Sequence, residues 1–508
     1  MKDTVDGALA RSARSILSVG EVVCALVASR LCSPSPLYDI AGWASGAAVH
    51  ELLGIPPALL NDDRLGRALE TFAVDAEDLR SRVAARAIER FGVGAGRLHV
   101  DLTTVGVSGA YEHSALVAKG WASDRRVARQ VRTLQASTAD GTVLYSRPDP
   151  GNAAELTLVG ASLERLLAIS GPGLLIVCDS AMGQPKTMRE IDQAGVRFVV
   201  PLRASAGFRE RFLTDVGHDA LRPVRYLPER ESKLPTKLRT VFKGALRDWE
   251  IPGPDTHPSL TLRVAYIHSS EEATQVAQAR EGALVKAEDA LERMRNGLGG
   301  RYYKTREQIQ RRIGQIIGVN IAGLIDVTVT TTRAGKLALA WQRNHQAIAT
   351  VASFDGIYAL ATNLPGRLSA GQVLRLYKDQ QIVERRHRDM KQTLKVRPIF
   401  LHNDDRVYAL LSIVGISLLI FGLIEAQTRA ALDPEQQLPG LLPEGRAARP
   451  TGRNILAAFQ GLGLTYTHTG IQLDPLTDTQ QHILELLAIQ PPWPSQTDHA
   501  LTNCGKWG

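Results

Sequence analysis

An α/β fold, a mixed sheet with helices on its faces, is what this sequence predicts, and three patterns predict it. Apolar runs of period two begin near residue 97 and include a hairpin signal, Asp140-Gly141. After residue 150, amphipathic stretches of helical spacing alternate with short, fully apolar runs. The resulting order β-β-β-α-β-α-β is a hairpin meander followed by crossovers, which makes a sheet of mixed direction covered by helices. The composition is that of a globular chain: 44% of the 508 residues are hydrophobic and 22% charged. The length suits about three or four domains.

Residues 1–95 read as helical, with Asn61-Asp62-Asp63 as an N-cap, and the run Gly92-Val93-Gly94-Ala95-Gly96 reads as a junction. Strands are expected over 98–107, 130–137 and 142–146, a helix over 153–169, and strands over 174–178 and 198–202. From 203 to 345 the pattern is less regular. A strand over 261–267 precedes a charged helix over 270–296, and a hairpin over 327–332 and 337–341 turns at Ala334-Gly335. A strand over 357–362 leads into two long helices, 370–394 and 405–430. The tail is rich in Pro, Gly, Gln and Thr, with one helix near 480–487. These elements divide the chain into an N-terminal helical region (1–95), a sheet domain (96–205), an insertion (206–345), a second part of the sheet domain (346–432) and a tail (433–508) that could serve dimerisation.

The net charge of +8 is unevenly placed. Residues 1–95 carry −2, whereas 203–247 carry +6, 378–397 carry +4, and 301–318 hold five basic side chains against one acidic. Three basic segments beyond residue 200 suit phosphate contacts and point to nucleic acid as partner. The cysteines Cys24, Cys32, Cys178 and Cys504 form no C-x-x-C pair, which argues for a reduced, cytoplasmic protein without a zinc site. No secretory signal opens the sequence. Residues 407–424 are uncharged over 18 positions, but Ser412, Gly415, Ser417 and Gly422 within them favour a buried core helix over a membrane span.

Phosphate-binding loop, HExxH and GxSxG signatures are absent, which removes the usual ATPases, zinc proteases and serine hydrolases. Two aspartates stand out. Asp101 lies inside the apolar run Leu98–Thr103, and Asp179 directly follows Leu174–Cys178. A carboxylate on a central strand is costly unless a cation or hydrogen bonds compensate it. On neighbouring strands the pair could share a divalent metal, and hard oxygen ligands suit Mg²⁺ or Mn²⁺. Further on, Tyr377, Glu384 and Lys391 are spaced seven apart, a single stripe on a continuous helix.

With these residues in view, the sequence resembles the bacterial insertion-sequence DDE transposases, in particular the group marked by Y-x2-R-x3-E-x6-K. Tyr377, Glu384 and Lys391 match that signature, and Gln380 stands where the arginine is expected. Family-like passages occur in order: Leu59–Arg67, Asp101–Thr104, Ser123–Arg126 with Gln130, Pro150–Glu155, Asp179, Asp355–Tyr358 with Thr362-Asn363, and Val396–Ile399. The resemblance covers about residues 55–430. It implies a ribonuclease H-like mixed sheet flanked by helices, an N-terminal helical, DNA-binding domain, and a β-rich insertion before the last catalytic residue. It also implies that Asp101, Asp179 and Glu384 are the catalytic and metal-binding triad. Two Mg²⁺ ions, replaceable by Mn²⁺, would then assist phosphoryl transfer about 4 Å apart. Tyr377, Gln380 and Lys391, with Arg385 and Arg388 on the same helix, are expected at the DNA. Trp249 and Trp341 could stack on an extruded base. Element ends and target DNA would be the substrates, a homodimer the synaptic form, with no membrane involved. A ribonuclease H-like nuclease without strand transfer and an inactive domesticated DNA-binding protein are the rival readings.

Overall fold

A computed structural model of the chain describes residues 1–9, 15–121, 127–202, 206–253, 259–397, 399–434, 436–468 and 470–495. The family-like Ser123–Arg126, and Pro398 of the later passage, lie outside the described residues. The chain divides into two units, one formed by residues 1–198 with 378–508 and the other by 199–377.

The first unit is built on strands β1 (Arg97–Gly106), β2 (Ala118–Trp121), β3 (Val127–Thr138), β4 (Val143–Pro150) and β5 (Leu175–Cys178). β1 pairs antiparallel with β3 along nine residues and parallel with β5 on its other side. β2 pairs with the first part of β3 and β4 with the rest, the β3–β4 turn being made at Gly141 with φ 90°. The helices Glu155–Ser170 and Pro185–Gln193 flank β5 in the chain. Mixed strand direction with flanking helices is the architecture expected from the sequence.

Helix Asp404–Ala430 is the axis of this unit. Asn403 caps it by accepting the Arg406 N–H, which satisfies a donor that has no partner inside the helix. Among the described residues it is the one helix long and apolar enough to cross a membrane, yet 83% of its most apolar window is buried inside the protein. One side, with Ala409, Leu410, Ile413 and Ile416, shares a core with Val22 and Leu26 of helix Val19–Cys32, Leu65, Leu69 and Phe72 of helix Asp62–Val74, and Leu79 of helix Ala76–Phe91. Another side, with Val407, Leu411, Val414, Leu418 and Phe421, packs against Val105, Val131 and Val143 of the sheet. The N-terminal helices thus close their core with one side of this helix. Asn61 caps helix Asp62–Val74 as the sequence indicates, accepting from Arg64 N.

The sheet strands of the second unit pair antiparallel. β6 (Arg197–Pro201) runs into this unit and pairs with β12 (Ile357–Thr362), which pairs with β9 (Leu260–Ser269), then β8 (Phe242–Ile251) and β7 (Arg222–Val224). A second small core lies under the long helix Ser270–Asn296, where Leu284, Leu291 and Met294 meet Ile309 of helix Arg306–Ile316 and Ile325 and Leu339 of the hairpin β10 (Ile325–Thr331) and β11 (Leu337–Arg343). Trp249 donates from Nε1 to Asp215 at 2.9 Å under the Arg211 guanidinium, 3.8 Å above its ring. Arg295 covers Trp341 at 5.0 Å. Arginine therefore occupies ring faces that the sequence reading offered to a base.

Gly356 lies between helix His345–Ala352 and β12 with φ 72°, and a Cβ there would stand 2.4 Å from the Ser269 carbonyl and 2.8 Å from Ala273 N. Both neighbours are backbone, so neither can move aside. Gly356→Ala is expected to lower stability by about 1–3 kcal/mol, read as a shift in urea midpoint at constant m-value.

Candidate active site

The parallel register of β1 and β5 runs from Arg97 opposite Leu175 to Val100 opposite Cys178. Asp101 and Asp179 each stand one residue beyond the last paired positions, Val100 and Cys178, and Asp179 keeps extended backbone at φ −78°, ψ 171°. Each aspartate fixes one carboxylate oxygen in the same way, by accepting the N–H of the following residue: Leu102 for Asp101, at 2.8 Å, and Ser180 for Asp179. Asp101 is half-buried and Asp179 is exposed.

Glu384 comes from the chain that crosses β1. Helix Ala370–Lys378 stops at a turn over Asp379 and Gln380, and helix Gln381–Arg388 begins after it. Asp379 pairs with Arg97 of β1 at 3.1 Å. Gln380, 9% exposed, donates from Nε2 to the Val100 carbonyl and places Oε1 3.3 Å from His99 Nδ1. The uninterrupted stripe expected over Tyr377, Glu384 and Lys391 is therefore broken, because residues 379 and 380 turn aside to bind the strand. A π-helical turn over Asp389–Thr393 breaks it again before Lys391, an irregularity that recurs at functional sites.

His387 lies on this face of the helix, with Nδ1 3.6 Å from Asp101 Oδ2. Burial and the nearby Lys391 push its pKa down to about 3, so the ring is neutral and the contact is not an ion pair. His99 is likewise neutral, lowered to about 4 by burial and Arg97. Burial and Arg397 lower the Lys391 ammonium, while Asp101 draws it back up. A cation and a neutral imidazole thus attend Asp101. Glu384 is exposed. Among the described residues, no three His, Cys, Asp or Glu side chains are spaced to hold a metal ion. Asp101 and Asp179 carry the hard oxygen donors that suit a divalent cation.

Two residues expected at DNA have internal partners. Gln380 is engaged on β1 as described, and Arg385 donates from Nη2 to Glu425 at 2.9 Å. Arg388 is exposed, and Tyr377 belongs to the second unit. Sequence reasoning missed Arg386, fully buried, and Glu425, 1% exposed, which meet at 2.9 Å. The available signal was a lone acid closing the uncharged run of residues 407–424, four positions before Arg429.

The transposase DDE domain family matches residues 96–420, and a domain of unknown function matches residues 1–85. No curated protein matches the chain. The first match starts just before β1, takes in Asp101, Asp179, Glu384 and the whole second unit, and ends inside the axial helix; over that span the chain belongs to the DDE transposases.

Proposed function

We propose that this transposase binds the ends of an insertion element and carries out metal-dependent cleavage and strand transfer, with Asp101, Asp179 and Glu384 as its catalytic triad. The observation that carries the reading is that Asp101 and Asp179 directly follow the last paired residues, Val100 and Cys178, of two neighbouring parallel strands, with the helix that bears Glu384 packed on β1. Divalent ions bound by these carboxylates would supply activation of water and of the freed 3′-hydroxyl, and charge stabilisation at the leaving oxygen. The chain's own groups do the rest. The Leu102 and Ser180 N–H groups orient the two aspartates. Lys391 holds a phosphate beside Asp101, and Arg388 and Tyr377 contact flanking DNA. Gln380 positions the helix on β1 through its two bonds. Synapsis of two ends calls for two copies of the chain.

Incubation of the purified protein with labelled end DNA and Mg²⁺ or Mn²⁺ tests the reading. Joined products support transposition, cleavage without joining reduces it to a nuclease, and neither product overturns it. Binding is expected to weaken steeply with salt. Six phosphate contacts would cost about 10³-fold in affinity between 50 and 200 mM, and a flat response in a fluorescence titration would remove the phosphate-dominated interface.

A further inference from the structure

Glu425 is buried on the axial helix and accepts from three arginines. Arg385 Nη2 and Arg429 Nη1 reach Oε1 at 2.9 and 2.7 Å, and Arg386 Nη1 reaches Oε2 at 2.9 Å. Arg386 also donates to Asp389 at 2.9 Å and, from Nε, to the Gly141 carbonyl of the β3–β4 turn at 2.6 Å. The remaining ties come from beyond residue 430. The Gly452 N–H donates to Glu425 Oε2 at 3.1 Å, and Arg429 Nε donates to the Pro450 carbonyl at 2.7 Å.

Arg385 and Arg386 directly follow Glu384. Successive residues of a helix point about 100° apart, so gripping both of them at one carboxylate stops the helix from rolling about its axis. Gln380, just before this helix, and His387 within it touch β1, and the roll angle decides whether Glu384 turns toward the aspartates. Apolar side chains would stabilise such a junction at lower desolvation cost, but they would not set this angle. We propose that Glu425 is a positioning residue for the helix that carries Glu384, and that the segment at 450–452 acts on catalysis through the same carboxylate. The proposal rests on the transposase reading for its catalytic consequence only.

The test uses full-length Glu425→Gln, which keeps shape and loses charge, with Glu425→Asp as the conservative variant and Arg385→Gln as a partly exposed second probe. Hydrogen exchange of the amides at 381–393 is expected to accelerate about tenfold while β1 stays protected. End-DNA affinity is expected to hold within about twofold. The cleavage rate at saturating DNA should fall about 10- to 100-fold, with a higher Mn²⁺ concentration for half-maximal rate and partial recovery in Glu425→Asp. Arg385→Gln should give the same pattern, more weakly. Unchanged exchange and rate in Glu425→Gln overturn the proposal. So does accelerated exchange throughout the unit with loss of DNA binding, which marks a general fold defect; should Glu425→Gln fail to fold, Arg385→Gln decides by the same criteria. If exchange responds as expected but the wild type cuts no end DNA, the positioning of the helix stands and the transposase reading of the site fails.

Discussion

Glu384→Gln is expected to abolish cleavage of element-end DNA while leaving its binding intact. The substitution keeps the size and hydrogen-bonding reach of the side chain and removes only the negative charge. Glu384 is exposed, so no buried partner is orphaned and the fold should be unaffected. Charge stabilisation through bound metal is worth several kcal/mol in such reactions. A loss of about 4 kcal/mol corresponds to roughly 10³-fold in rate. Asp101→Asn should behave alike. Gel assays in Mg²⁺ and Mn²⁺, beside an affinity measurement, decide it: cleavage at the wild-type rate would refute the assignment of Glu384.

The largest effect on stability is expected at Phe212→Ala. Phe212 is fully buried in the second unit, with its ring centroid 5.5 Å from Tyr266, 6.1 Å from Phe354 and 5.1 Å from His218, all edge-on. Truncation removes the burial and leaves a cavity among rings that cannot collapse into it, a cost of about 3–5 kcal/mol. Urea unfolding read by tryptophan fluorescence should show the midpoint fall, and a midpoint within error of wild type would mean that helix Ala206–Asp215 does not anchor this core.

The same region shows where the sequence ceased to be legible. Asp140-Gly141 and Ala334-Gly335 marked their hairpins because turn chemistry is local, and helix Ser270–Asn296 was legible from its length and charge. Helix Ala206–Asp215 and strand β8 were not, since Lys243, Arg247 and Asp248 interrupt the alternation of β8 and only its pairing with β9 makes it a strand. At the site, the apolar runs around Asp101 and Asp179 announced two costly carboxylates, and each directly follows the last paired residue of neighbouring parallel strands. The break at Asp379 and Gln380 was hidden because it depends on Arg97 and Val100, about 280 positions away in the chain. The buried Arg386–Glu425 pair was hidden for the same reason: each residue read as an ordinary surface charge until its partner was known.

The axial helix has a consequence for the making of the protein. It supplies one side of the core that covers the N-terminal helices and one side of the core that covers the sheet, yet it is translated after some 400 residues have already emerged. Until then the earlier helices and β1, β3 and β4 present apolar faces with nothing to close them. Completion of both cores therefore waits on a single late segment, and a chain cut short before residue 404 carries its two aspartates but lacks the element that consolidates them. Synthesis thereby acts as a proofreading step: only a ribosome that has read past residue 404 releases a chain able to close both cores.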